Sequence, residues 1–260
     1  MTATGGHEAT WRAIRAVLAA DCACAPEDFL RDGGVVTVAR ECPGRRRFPM
    51  PAKPLLLVTT GAGVVVSCHP ERVDWARAAL GPRPRDEIFS APTIAELVQY
   101  VARDGQEIAG PHLNYTCAPA DFRPAPTPEG VAITVVEREG IADLYQYREF
   151  RHALAYRVDD PRPDMFAAVA TANGAIVGIA GVGADSDDLW QIGIDVVAPA
   201  RGRGIGRALV GRLTEAIFRS GKVPYYATHV SNIHSRAIAV GLGYWPAWTE
   251  MHARDRAPGD

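Results

Sequence analysis

A glycine–arginine turn constrains this chain more than any other stretch. Arg201-Gly202-Arg203-Gly204-Ile205-Gly206-Arg207 lies between a predicted strand, Leu189 to Val197, and a predicted amphipathic helix, Gly204 to Ser220. A turn that opens a helix in this way leaves several backbone N–H groups without partners. They point outward at the positive end of the helix dipole. Glycines let an anion approach the main chain with no Cβ in the way. Three arginines in the same turn add charge suited to phosphate. The local chemistry therefore predicts that a phosphorylated ligand docks here.

Two common phosphate loops do not fit. Counting from Gly202 and Gly204, G-x-G-x-x-G would need a glycine where Arg207 stands, and Lys222 to Tyr226 offers no acidic residue for a ribose. No Gly-Lys-Ser/Thr follows, which excludes the P-loop. The residues run Val197-x-Pro199-x-Arg201-x-x-Gly204-x-Gly206 and then a helix. A second segment stands downstream: a strand over Pro224 to Val230, Ser231-Asn232, a helix from about Ile233 to Leu242, then Gly243-Tyr244. Asn or Ser before a helix accepts a first-turn N–H, and Gly after the last turn stops it. Together these segments resemble the GNAT superfamily of N-acyltransferases. That family carries Arg/Gln-x-x-Gly-x-Gly/Ala on the acyl-CoA pyrophosphate, then V-x-N or V-S-N, a short helix and L-G-F/Y. Here the latter are Val230-Ser231-Asn232 and Leu242-Gly243-Tyr244, and the resemblance covers about residues 130 to 255.

The resemblance implies the GNAT fold, an α/β (α+β mixed) class with a central mixed twisted sheet flanked by helices. It implies acetyl-CoA as acyl donor and no metal. Val196 and Val197 would face the thioester and pantetheine with their main chain, and Arg201, Gly202, Arg203, Gly204, Ile205, Gly206 and Arg207 would hold the pyrophosphate. Asn232 and Ser235 match positions that lie against the pantetheine and nucleotide end, and both also read as plain helix caps. The implied activity is an acetyl-CoA-dependent N-acetyltransferase acting on a small-molecule amine by direct attack in a ternary complex. Two alternatives stay open. One is transfer of a longer acyl group delivered on CoA or a carrier protein. The other is a non-catalytic acyl-CoA sensor.

Amine acylation needs a base for the amine proton and a donor for the thioester oxygen. Strand alternation puts Gln191, Gly193, Asp195 and Val197 on one face. A buried Asp195 carboxylate would have a raised pKa and could serve as the base. It could equally bond a neighbouring backbone group or an arginine. Gln191 stands where some relatives carry a glutamate base, which Gln cannot replace. His229, on the second strand, is the next candidate, because an ordinary imidazole pKa suits proton shuttling. A structural histidine explains it as well. Many relatives carry a tyrosine five residues before the L-G-F/Y aromatic that protonates the thiolate; that position here is Ala239. Tyr225, Tyr226 or water would then have to act. Tyr145, Tyr156 and Glu250 are the acceptor-side candidates, with Tyr147 and Trp248 as aromatics that line a pocket or belong to the core.

The 260 residues, 47% hydrophobic, suit one large or two ordinary domains. Prolines at 119, 124, 126 and 128 predict an extended linker from Cys117, so the chain divides near residue 130. Residues 1–129 then form a smaller accessory α+β domain, or a degenerate GNAT-like one, and 130–260 the catalytic domain. Helices are expected at His7–Ala20, Pro70–Leu80, Pro92–Arg103 and Ile141–Ala155, with a short one at Asp28–Leu30. Strands are expected at Val35–Ala39, Val131–Glu137 and Tyr244–Ala253. Hairpins are expected around Gly61-Ala62-Gly63 and Asn173-Gly174. A net charge of −2 gives no case for nucleic acid. No run of eighteen apolar residues predicts a membrane span. The first residues do not read as a signal peptide, which points to the cytoplasm and leaves a homodimer open. Five cysteines, an odd number, read as free thiols rather than disulfides or a zinc site. Arg45-Arg46-Arg47 reads as a solvated loop, or as a dock for an acidic carrier protein.

Overall fold

The computed structural model describes residues 3–47 and 53–256. Helices α1 (Ala3–Cys22), α2 (Val73–Ala79), α3 (Arg85–Ile88), α4 (Ala91–Ala102), α5 (Ile205–Arg219) and α6 (Ile233–Gly241) accompany ten strands among those residues. The strands are β1 (Gly34–Val38), β2 (Leu55–Thr59), β3 (Val64–Cys68), β4 (Gln106–Thr116), β5 (Ala132–Glu137), β6 (Asp164–Ala172), β7 (Ala175–Gly183), β8 (Leu189–Val196), β9 (Val223–His229) and β10 (Trp245–Asp255). This is the mixed α/β class with helices flanking mixed sheet. The residues group into two compact units. Unit 1 takes Met1–Ala13, Tyr115–Thr228 and Asn232–Pro246, and unit 2 takes Ile14–Asn114, His229–Ser231 and Ala247–Asp260. The units thus interleave along the sequence, unlike a single cut at residue 130.

In unit 1 the strands run β9-β8-β7-β6-β5. All neighbours are antiparallel except β8 and β9, which are parallel. Asn173 and Gly174 both take positive φ, 50° and 78°, at the β6–β7 turn. A two-residue hairpin with right-handed strand twist asks for that conformation. Helix α5 buries the expected stripe, Ile205, Leu209, Val210, Leu213 and Ile217. Ile141, Leu144, Phe150 and Leu154 form a second cluster with Ala167, Val169 and Ile179 of the sheet.

The helix expected over Ile141–Ala155 does not form. A 3₁₀ stretch covers Arg138–Gln146, and turns carry the chain to Tyr156. Two glycines in the sheet explain why. A Cβ on Gly181 or Gly193 would sit 2.0 Å from the carbonyl oxygen of Ala153 or His152, so the main chain lies directly on the strands. Side chains then satisfy amides that a helix would satisfy internally. Asp195 Oδ2 accepts the His152 N–H at 2.6 Å, and Asp164 Oδ2 accepts that of Ala155 at 2.9 Å. Residues 117–130 are not a loose linker either. Arg123 N–H bonds Leu242 O at 2.9 Å, and Trp245 Nε1 bonds Asp121 Oδ2 at 3.3 Å. His7 Nε2 lies 2.5 Å from the same oxygen, with its ring stacked on Trp245.

Unit 2 has the strand order β1-β3-β2-β10-β4, with β1 parallel to β3. Its core joins Leu55, Leu57, Val66 and Met251 to Val73, Ala76, Leu97 and Val101 of α2 and α4. Strand β4 goes unannounced in the sequence. It contains Gly110-Pro111, and proline argues against a strand interior. The glycine is needed there, since a Cβ on Gly110 would stand 2.8 Å from Glu250 O. The arginine loop is not wholly solvated as expected: Arg47 is exposed, but Arg46 is buried and ion-paired with Asp21 and Glu250. All five cysteines are free thiols.

Candidate active site

The glycine–arginine turn follows β8 in unit 1. A 3₁₀ turn over Ala198–Ala200 leads to Gly202 and Gly204, at φ +75° and +80°. Gly204 is the N-cap of α5 and brings no capping side chain. Residues with a Cβ resist this left-handed conformation, which accounts for both glycines. The first amide bonded in the helix is that of Ala208, to Gly204 O at 3.1 Å. Among the described residues the amides of Gly202, Arg203, Gly204, Ile205, Gly206 and Arg207 make no hydrogen bond. Six adjacent donors thus stand open at the positive end of a fifteen-residue helix.

The three arginines have different positions. Arg201 Nε bonds Val196 O at 2.9 Å. Arg207 Nη2 bonds Gly241 O at 2.5 Å and so caps the C-terminus of α6. Arg203 is exposed and makes no hydrogen bond or ion pair among the described residues. Ile205 is buried and anchors the turn, and Gly206 faces Ile194 and Ile238, where a Cβ would come within 3.1–3.2 Å.

Strands β8 and β9 pair only at Leu189↔Val223, Trp190↔Pro224 and Gln191↔Tyr225, then diverge. On the other edge, Val197 N–H bonds Val177 O at 3.0 Å. Antiparallel alternation then turns the peptide groups of Ile194 and Val196 away from β7, toward the gap. Of the two valines named from the sequence, Val196 turns its amide toward the gap and Val197 turns its own toward β7. Across the gap, Asn232 caps α6 by accepting the Ser235 N–H at 3.1 Å. The Ser235 hydroxyl pairs with the buried Tyr226 hydroxyl at 2.6 Å.

A strand edge left open thus lies beside a row of unpaired amides. Residues 134–244 match the model of the Acetyltransferase (GNAT) family. Those residues are a GNAT-family domain. The chain is similar to a GCN5-related N-acetyltransferase from Kribbella flavida, with 20% identity over 83% of this chain and 90% of that one and a TM-score of 0.50. It is also similar to a GCN5-related N-acetyltransferase-like protein from Streptococcus suis 89/1591. There the identity is 19% over 79% and 85%, with a TM-score of 0.48. The Salmonella typhimurium protein yncA, solved with its cofactor acetyl-CoA, aligns over 51% of this chain and 99% of its own. Its identity is 18% and its TM-score 0.35. No curated protein matches the chain significantly.

Within the GNAT domain, Asp195 lies on the face of β8 that alternation predicted, beside Gly193. Its Oδ2 holds the His152 amide, and its Oδ1 makes no hydrogen bond among the described residues. Asp195 is half-buried, not buried as the base reading expected, and it bonds a neighbouring backbone group. His229 falls in unit 2, where Nδ1 is 2.8 Å from Ser231 Oγ. Glu250 is also in unit 2, buried against Arg46. Tyr145 and Tyr156 stand together, ring centroids 5.8 Å apart, and both hydroxyls are occupied. Tyr145 donates to Asp164 Oδ2 at 2.9 Å and Tyr156 to Phe150 O at 2.5 Å. Burial, then the Asp195 charge, pushes the Tyr156 phenol up to about 12. Ala239 is fully buried.

One group in the GNAT domain escaped the sequence reading. Arg162 Nη1 bonds Gln191 Oε1 at 2.9 Å and approaches Asp185 Oδ1 at 3.4 Å, and Tyr225 donates its hydroxyl to Asp185. Gln191 and Tyr225 are the last paired rung before the strands part. The network fixes that point of divergence. Asp185 sits in the run Ala184-Asp185-Ser186-Asp187-Asp188, which reads as a polar turn and gives no hint of burial.

Proposed function

We propose that this protein is an acetyl-CoA-dependent N-acetyltransferase that acylates a small-molecule amine by direct attack in a ternary complex. The observation that carries the reading is the row of open amides from Gly202 to Arg207, adjoining the unpaired Ile194 peptide and the Val196 N–H. A diphosphate with a peptide-like arm fits that donor set. The amides and the α5 dipole would hold the diphosphate, with Arg203 as a screened outer charge. The β8 edge would pair with the pantetheine amides as an added strand does. Bound there, acetyl-CoA supplies an activated acyl thioester.

The residues of this chain would do the rest. Val196 N–H is the donor for the thioester oxygen as charge builds on it. Asp195 Oδ1 takes the amine proton, and the His152 amide on Oδ2 keeps the carboxylate oriented. Tyr225 and Tyr226 hold their protons, the first against Asp185 and the second in a hydroxyl pair with Ser235. The proton for the departing sulfur therefore comes from water. The buried Arg46 gives no support to a carrier-protein dock at residues 45–47.

A thiol-release assay with acetyl-CoA and a panel of small amines tests the proposal. At least one amine should release CoA, and Asp195→Asn should cut kcat about 10²-fold or more with CoA affinity unchanged. CoA binding without release for any amine would make the protein a sensor. A wild-type rate in the Asn variant would remove Asp195 as base.

A further inference from the structure

Unit 2 carries a cavity between α2 and α4 that the acyl-transfer chemistry does not use. Helical periodicity builds it. Val73 and Ala76 of α2 enter the core, which leaves Trp75 and Ala79, one turn apart, on a flank. Leu97 and Val101 of α4 enter the same core. Thr93, Glu96 and Tyr100 then follow one another at helical spacing on the facing flank, with Arg103 at its C-cap. Between the two flanks lies a space of about 210 Å³, lined by side chains from both. Leu80 and Leu97, both buried, give it an apolar floor. Trp75 and Tyr100 wall it, with their rings stacked 3.5 Å apart at 4°.

The two ends of the cavity differ. One is closed by an ion pair: Arg83 donates from Nη1 to Thr93 Oγ1 at 2.9 Å and sets Nη2 2.8 Å from Glu96 Oε2. The other end carries Arg103, seven residues further along the helix and so about 10 Å away. Arg103 is exposed, and its guanidinium carbon stands 5.9 Å from the Tyr100 ring centroid. Its side chain makes no hydrogen bond or ion pair among the described residues. Arg72 stands 5.7 Å from the same ring, but Asp104 matches its charge. Of the two charged residues that line the space, Glu96 is therefore paired and Arg103 is not. The Trp75 indole N–H and the Tyr100 hydroxyl likewise have no hydrogen-bond partner among the described residues.

Volume, floor and charge together name the ligand class. An apolar cavity of about 150 Å³ holds one benzene ring, so this space takes a single ring with a small substituent and is too small for a nucleotide. Leucines below and an indole beside suit an aromatic body. The groups left to meet its substituent are donors: a guanidinium, an indole N–H and a phenol. A guanidinium fork matches the two oxygens of a carboxylate. We propose that the cleft between α2 and α4 binds a small aryl carboxylate, with its ring on Leu80, Leu97 and Trp75 and its carboxylate on Arg103.

¹H–¹⁵N spectra of the full-length protein, recorded without CoA, test this. Sodium benzoate is the probe, with benzamide, sodium acetate and sodium chloride compared at matched ionic strength. Benzoate should shift the Trp75 indole signal, assigned from W75F, and the shift should saturate. Benzamide keeps the ring without the charge, and acetate keeps the charge without the ring. Each should bind about fivefold more weakly than benzoate, or worse. Arg103→Gln, a surface change, should weaken benzoate about fivefold and leave benzamide as it was. Ala79→Leu, checked for an unchanged circular dichroism spectrum, should fill the space and abolish the shift. A Trp75 signal that benzoate does not move saturably, or that benzamide or acetate moves equally well, overturns the proposal. So does an unchanged benzoate titration in R103Q. If A79L does not fold, R103Q and the ligand series still decide. These samples hold no acyl donor, so either result leaves the acyl-transfer reading to its own assay.

Discussion

Arg201, Arg203 and Arg207 look alike in the sequence, yet their placement separates their effects. Arg203 is exposed and uncommitted, so its contribution to a bound diphosphate is that of a surface pair, about 0.2–1 kcal/mol. Arg203→Ala should weaken CoA binding by roughly 1.4- to 5-fold at about 0.1 M salt. At about 1 M salt, where the screening length falls from about 10 Å to about 3 Å, the difference should vanish. Arg207 is committed to Gly241 O at 2.5 Å, capping α6. Arg207→Ala should cost about 1 kcal/mol of stability and lower Tm by about 2–4 °C. Its effect on CoA affinity should be smaller than that of Arg203→Ala. Arg201→Ala should likewise affect affinity less, because its Nε serves Val196 O. Isothermal titration with CoA at both salt concentrations, alongside thermal melts, reads all of these. A large loss of affinity in Arg207→Ala with an unchanged melt would refute this division of roles.

Gly193→Ala should destabilise the protein by about 1–3 kcal/mol, because its Cβ would meet His152 O at 2.0 Å. Urea unfolding measures the loss, and kcat should fall with it as the Asp195–His152 contact opens. Arg46→Ala leaves Glu250 buried without its partner and should cost about 3–5 kcal/mol; a near-neutral result in a melt would contradict the pairing. Acid should destabilise unit 2. His252 titrates at about 3 when folded against about 6.5 when unfolded, so the unfolded chain binds the extra proton between those values and stability rises with pH there. Burial alone would raise Glu250, but Arg46 and Lys53 hold its carboxyl well below the usual range, which adds to the same trend at lower pH. His252→Gln should flatten the slope by up to about 1.4 kcal/mol per pH unit, measured by urea unfolding at several pH values between 4 and 6.5. An unchanged slope would place the titration elsewhere.

Most of unit 1 was legible because its elements announce themselves locally. The Asn173-Gly174 hairpin, the α5 stripe, and the caps at Gly204 and Asn232 each follow from a few adjacent residues. What escaped depends on distant partners. The segment before Tyr156 has helical periodicity, but Gly181, Gly193 and two aspartates draw its main chain onto the sheet. Strand β4 was hidden by Gly110-Pro111, and its reason for glycine lies in the neighbouring β10 main chain. Arg46 looked solvated between two arginines, because Asp21 and Glu250 lie far away in sequence. At the site, residue type alone predicts the left-handed glycines and unpaired amides of the loop. The phase of the β7–β8 ladder, which turns the Val196 amide toward the gap and that of Val197 toward β7, appears only with the register.

The claim that backbone amides hold the diphosphate can be read directly. ¹H–¹⁵N spectra of the amides from Gly202 to Arg207 should move on adding CoA, and should stay in place on adding pantetheine, which lacks the diphosphate. If CoA binds by calorimetry while those amides do not respond, the ligand lies elsewhere and the site described for unit 1 is wrong.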